Sequence, residues 1–270
     1  AAGTGGVATT RALLRAGVEV NDAAAAGTSA LVVAAHSGHA ALAELLLAEG
    51  ADPNAAEAGY SALHAAVLRE QEALVGVLLT YGADPNFTVV RGTPGRRFSA
   101  DYSIRHQAIG ANAFWLAAKY GELGSLRTLA DYGADPFMIP ANGVSSLQAA
   151  IGTGAISQEN RRNRVGVAVT EEVDQQQLTL ELVRVVHGMG VDVNTADARG
   201  NTPLHDAVRN GFLPVVEFLA RHGADPRARN DRDQTALTLA ETALPVPGTN
   251  GRRATRPEIA ALLRSYGDGE

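Results

Sequence analysis

The groups that could carry chemistry are few, and their spacing brings none of them together. Seven histidines, His36, His39, His64, His106, His187, His205 and His222, are spread along the chain. No His-Glu-x-x-His sequence sets two imidazoles on one helix face around zinc. A phosphate-binding loop needs Gly-Lys-Ser/Thr, which is absent, and Gly3-Thr-Gly-Gly6 and Gly152-Thr-Gly154 are too short and misplaced to replace it. No Gly-x-Ser-x-Gly turn exposes a nucleophilic serine. With no cysteine, disulfides, thiolate metal ligands and thiol nucleophiles are excluded. Asp52, Asp84, Asp135 and Asp225 each sit in Gly-Ala-Asp-Pro, which marks them as turn residues and not as paired acids. Neither catalytic residues, nor a metal site, nor a cofactor is expected; the chain does not read as an enzyme.

What remains is arginine and a few aromatics. Lys119 is the only lysine, a bias that reads as a high-GC bacterial genome before it reads as physics. Arginines cluster at Arg91, Arg96, Arg97 and Arg105, at Arg161, Arg162 and Arg164, and at Arg252, Arg253 and Arg256. Their forked donors suit carboxylate or phosphate groups on a partner, the plainer alternative being solvated loops with harmless charge. The net charge of −6 argues against a general nucleic-acid binder, which needs a dominant basic face. Trp115, beside Phe114 and close to Tyr120, is either an aromatic platform for a ligand or core filling; its place at the start of an apolar stretch favours the core. No apolar run approaches the roughly 18 residues of a membrane span, and Ala1–Gly5 has no basic and apolar signal segment.

The elements that hold these residues repeat. Gly17, Gly50, Gly82, Gly133, Gly190, Gly223 and Gly267 each close an apolar stretch, where glycine supplies the left-handed residue that ends a helix. Four residues before them stand Leu13, Leu46, Leu78, Leu129, Val186, Leu219 and Leu263, one apolar side chain at a constant helical phase. Upstream, Ser29, Ser61, Asn112, Ser145, Thr202 and Thr235 can accept hydrogen bonds from free amides at a helix start. Five positions after each cap comes alanine, at Ala34, Ala66, Ala117, Ala150, Ala207 and Ala240, which permits close helix approach. Ser29 and Gly50, Ser61 and Gly82, Asn112 and Gly133, and Thr202 and Gly223 are each 21 residues apart.

The segment Gly200-Asn-Thr-Pro-Leu-His-Asp-Ala-Val, running to Arg221-His-Gly-Ala-Asp-Pro226, resembles an ankyrin repeat with its Thr-Pro-Leu-His signature. Other copies keep the physical roles with different letters, as in Ser-Ala-Leu-His (Ser61–His64) and Asn-Ala-Phe-Trp (Asn112–Trp115). The resemblance implies an all-α repeat fold, an ankyrin solenoid of six helix-turn-helix repeats at 23–54, 55–86, 106–137, 138–194, 195–227 and 228–270. A truncated repeat, 1–22, precedes them and lacks residues for its own first helix, which predicts an apolar edge at Val7, Leu13 and Leu14. That edge is expected to be covered by preceding sequence or by self-association. The chain is similar to the long, often exported ankyrin arrays of soil bacteria and reads as the C-terminal portion of one, so periplasmic or extracellular placement is favoured over cytoplasmic. In this family His64 and His205 would tie a helix start to a neighbouring loop.

Three insertions break the period. Asn86 and Asn112 are 26 residues apart where Asn21 and Ser29 are 8, so 87–105 lengthens a finger loop. The cap-to-glycine distance grows from 21 to 45 in the fourth repeat, with the excess near 152–173, and to 32 in the sixth, near 244–257. Fold-level signals fill the chain, so a protein-interaction module is the expected function, with another protein as partner. By family analogy its contacts fall on the concave finger and inner-helix positions Tyr60, Lys119, Tyr120, Arg199, Asn201, Arg209, Asn210, Arg232 and Gln234, joined by Arg96 and Arg97 of the first insertion. The alternatives are an enzyme or small-ligand receptor with a pocket around Phe98, Tyr102, His106 and Trp115, and an array that stacks end to end.

Overall fold

The computed structural model describes residues 1–24, 27–92, 104, 106–152, 175–245 and 253–267. Its helices in chain order are α1 (Val7–Arg15), α2 (Ala30–His36), α3 (Ala40–Ala48), α4 (Ala62–Leu68), α5 (Glu72–Thr80), α6 (Ala113–Tyr120), α7 (Leu123–Asp131), α8 (Ser146–Ile151), α9 (Gln175–Gly188), α10 (Pro203–Asn210), α11 (Leu213–Arg221), α12 (Ala236–Glu241) and α13 (Pro257–Gly267). Most have nine residues or fewer, a length at which an isolated helix does not persist in water. Packing must hold them.

The chain divides into two compact units, Ala1–Ala117 with Gly124–Ala141, and Ala118–Leu123 with Asn142–Glu270. In the first, α2 packs on α4 and α3 on α5, while α2 pairs with α3 and α4 with α5. First helices thus stack on first helices and second on second. The same rule holds in the second unit, where α10 lies between α8 and α12, and α11 between α9 and α13.

All six caps form. The side chains of Ser29, Ser145 and Thr235 accept from the amides of Val32, Gln148 and Thr238, Asn112 Oδ1 accepts from Trp115 N–H at 2.9 Å, and Ser61 and Thr202 share capping boxes with His64 and His205. The six ladder alanines are fully buried at 0% exposure, as close helix approach requires. The apolar ladder is buried from Leu46 to Leu263 and fails at its first rung, Leu13, which is 44% exposed. At that edge a short 3-10 turn, Ala2–Thr4, lies against α2 and supplies part of the first helix the sequence lacks.

A second ladder joins repeat to repeat through asparagine. Asn21 Oδ1 accepts from Asp52 N–H at 2.8 Å while its Nδ2 donates to Gly50 O at 3.1 Å. Asn54 does the same to Asp84 and Gly82, Asn86 to Asp135 and Gly133, and Asn194 to Asp225 and Gly223. Each aspartate carboxylate in turn accepts from the amide two residues on, as Asp52 does from Asn54 and Asp225 from Arg227, which confirms these acids as turn residues. Asn194→Ala should therefore lower stability by about 1–3 kcal/mol, two hydrogen bonds at roughly 0.5–1.5 kcal/mol each. Urea unfolding checks this, and an unchanged midpoint would mean the ladder contributes nothing.

Extended structure among the described residues is limited to the pair Leu244–Pro245 and Arg253–Ala254, antiparallel, and one isolated bridge, Ala23 to Ser29. The pair forms the stem of the sixth repeat's insertion. Of its arginines, Arg252 lies outside the described residues, Arg253 Nε donates to Ala243 O at 2.9 Å, and Arg256 donates to Ala254 O, Pro245 O and Arg209 O. Nearly all of the fourth repeat's insertion, with Arg161, Arg162 and Arg164, lies outside the described residues.

Candidate functional site

The second unit brings a group of charged and amide side chains together at two consecutive finger loops and the start of α10. The loops are built alike. Asp197 Oδ1 accepts from the amides of Arg199 and Asn201, each at 2.8 Å, and Asn230 Oδ1 accepts from those of Arg232 and Gln234 at 2.9 and 3.1 Å. One side chain thus closes each tip. Asp231 N–H donates to Arg199 O at 3.0 Å, joining finger to finger. Gly200, at φ 71°, makes that approach possible, because a Cβ there would stand 3.1 Å from the Cα of Asn230.

Between the fingers lies a groove of about 420 Å³ lined by Arg199, Asn201, Arg209, Asn230, Asp231 and Arg232. Asn201 and Asn230 are buried floor residues whose amides are joined at 3.0 Å. Asn201 Oδ1 also accepts from Arg209 Nη2, and Arg209 Nη1 donates to Asp206 Oδ1 at 3.0 Å. Gln148 of α8 donates to the other carboxylate oxygen at 3.2 Å. Burial pushes the Asp206 carboxyl up to about 6, against the opposing pull of Arg209 and of the Gln148 hydrogen bond. Beside it, Nδ1 of His205 accepts from Thr202 N–H, so its Nε2 carries the proton and donates to Gln234 O at 2.9 Å. Burial lowers the His205 pKa, consistent with that neutral form. The tie from helix start to next loop, implied by resemblance, is present at this histidine.

Of the residues singled out by sequence, Arg199 and Arg232 are exposed, and Arg209 and Gln234 are half-buried in the same cluster. Asn210 is turned to another task, donating to Ile151 O at the end of α8. Asn201 is a buried hub, so its side chain organises the groove floor more than it offers contact. Tyr60 is corrected outright: it is 5% exposed beside His36, because Gly59 lets the backbone of Arg91 lie over this finger. Lys119 and Tyr120 are half-buried at the end of α6. Arg96, Arg97, Phe98 and Tyr102 lie outside the described residues, as does the His106 side chain. Trp115, at 1% exposure, is core and not a ligand platform. Sequence reasoning missed Asp206, whose position four residues after its cap is apolar in the other repeats.

Two family models describing ankyrin repeats match the chain, one over residues 1–89 and one over 185–240, together more than half of its length. The chain belongs to the ankyrin-repeat family. Oxysterol-binding protein-related protein 1 of Mus musculus is 48% identical over 52 residues, 19% of this chain and 6% of that protein. Alpha-latroinsectotoxin-Lt1a of Latrodectus tredecimguttatus is 34% identical over 101 residues, 37% of this chain and 7% of the toxin. The chain therefore aligns with only a small part of each relative. The human ASB11 ankyrin repeat domain matches with a TM-score of 0.67 at 22% identity, over 97% of this chain and 95% of that one. The solenoid of helix pairs described above is the fold of that family. No described helix is long and apolar enough to cross a membrane.

Proposed function

We propose that this ankyrin chain is a protein-interaction module whose second unit engages its partner through the groove between the fingers at Arg199 and Arg232. The observation that carries the reading is the arrangement of arginine around that groove. Arg199 and Arg232 stand exposed at its rim with no ion-pair partner among the described residues, and Arg209 is fixed below them by Asp206 and Asn201. Arginine is among the residue types that dominate interface energetics, and a floor of mutually bonded amides keeps the surface in place before a partner arrives. Arg96 and Arg97 of the long finger insertion are proposed as further contacts.

The test is a photo-crosslinking amino acid at position 199 or 232, compared with positions 184 and 217 on α9 and α11, in extract of the source organism. Covalent capture of one protein from the groove positions and not from the helix positions is the expected result. Equal capture from both sets would overturn the assignment.

A further inference from the structure

We propose that the groove receives an extended acidic segment of the partner, with one carboxylate on Arg199, a second on Arg232, and Arg209 as a third cation at the floor. This deepens the reading above and rests on it.

Arg199 and Arg232 hold the same place on consecutive fingers, 33 residues apart in sequence. The hydrogen bond from Asp231 N–H to Arg199 O fixes one tip against the other, so the two guanidinium groups project from anchored backbone. Their lack of partners is selective. Other exposed arginines of this unit are neutralised on their own surface: Arg184 by Glu181, Arg221 by Glu217, Arg229 by Asp233 and Arg264 by Glu241. In a chain of net charge −6, two guanidinium groups with no ion-pair partner among the described residues form a local site of opposite sign at one groove.

The lining carries three arginines against one carboxylate, Asp231, and of the three only Arg209 is compensated from below, by Asp206. Stacked helices lie roughly 8–10 Å apart, and fingers borne on adjacent helix pairs share that spacing. An extended chain rises about 3.3 Å per residue, so acids two or three residues apart match it. The fork of each guanidinium then meets one carboxylate with two parallel hydrogen bonds.

Asp206 makes the site respond to pH. Among the described residues, the charged groups that act on its carboxyl are Arg209 on its own helix and Asp197 from the finger loop, with Gln148 donating from α8. Protonation of Asp206 leaves Arg209 uncompensated beneath the groove, so anion affinity rises as pH falls through about 6.

The experiment is fluorescence polarisation with the full chain and labelled short glycine–serine peptides carrying two glutamates two or three residues apart, two glutamines, or two phosphoserines at the same positions. The glutamate peptide should bind and the glutamine peptide should not. Arg199→Ala and Arg232→Ala should each weaken it about fivefold, the scale of one partly exposed ion pair. An Arg184→Ala, Arg221→Ala double variant should leave affinity unchanged. Asp206→Asn, checked for an unaltered melting curve, should bind more tightly at neutral pH and lose the rise in affinity on acidification. Equal binding of glutamate and glutamine peptides, or indifference to loss of both groove arginines, overturns the proposal. Binding of the phosphoserine peptide alone also overturns it, in favour of a phosphorylated partner. If position 232 still crosslinks a partner while glutamate peptides fail, only the acidic assignment falls; if crosslinking is no better than from the helix positions, the underlying reading falls too.

Discussion

Replacing Trp115 by alanine should destabilise the first unit by roughly 3–5 kcal/mol, the range for deleting a buried large aromatic. Trp115 is the largest side chain in the core at 1% exposure, adjacent to Phe114 at 0%, in the first turn of α6 after its cap Asn112. Two described residues of the long finger insertion are buried as well. Val89 and Ile104 are each 1% exposed, and Val89 N–H donates to Ala111 O at 2.8 Å while Gly110 N–H donates to Val89 O at 2.7 Å. Val89 is therefore tied by backbone to the residues just before α6. Phe and Leu at position 115 should recover stability in order of volume. Thermal unfolding followed by circular dichroism reads the loss. A midpoint for Trp115→Ala within a degree or so of the parent would show that the indole fills no essential volume.

Acid should unfold this protein earlier than its carboxylates alone would dictate, with His64 as the leading cause. His64 is fully buried, and desolvation holds its pKa at about 4 against the pull of the Ala111 and Phe87 carbonyls and of Asp84. Its neutral form is required by the capping box, where Nδ1 accepts from Ser61 N–H at 3.3 Å. The folded pKa lies below the unfolded value of 6.5, so the stabilisation is complete above pH 6.5 and is lost as pH falls toward about 4. A gap of about 2.5 units at 1.36 kcal/mol each amounts to about 3 kcal/mol. His205 acts in the same direction. Asp206 opposes them: its folded pKa is raised to about 6, so its contribution is present below 3.8 and disappears as pH rises. The control is His64→Gln, because Gln148 already fills the equivalent place in the fourth repeat and accepts from Ser145 N–H. Urea unfolding at neutral pH and near pH 4 should show the parent losing about 3 kcal/mol more than the variant. Equal losses would assign the acid sensitivity elsewhere.

How much of this was legible in the residues follows from the range over which each interaction acts. The caps at Ser29, Ser61, Asn112, Ser145, Thr202 and Thr235 reach only three residues forward, and the alanine ladder five residues beyond them records one helix–helix distance repeated along the stack. Local rules of this kind survive changes of letter, so the helix pairs could be read directly. The asparagine ladder could not. Asn54 looks like a turn residue, yet its partners are Gly82 and Asp84 in the next repeat, and only stacking brings them within hydrogen-bond reach. Tyr60 was misread for a related reason: it stands at a finger position, but the covering backbone of Arg91 comes from the following finger. Arg199 and Arg232 are exposed at equivalent positions of consecutive fingers, since equivalent positions in a repeat array share one edge. Sequence could not tell that these two have no ion-pair partner among the described residues while Arg209 is held by Asp206, because pairing depends on which side chains the fold sets within a few ångströms. The repeat alone determined where the groove's residues stand. Tertiary packing decided their surroundings, burying Asp206 against Arg209 and leaving the fingertips in solvent.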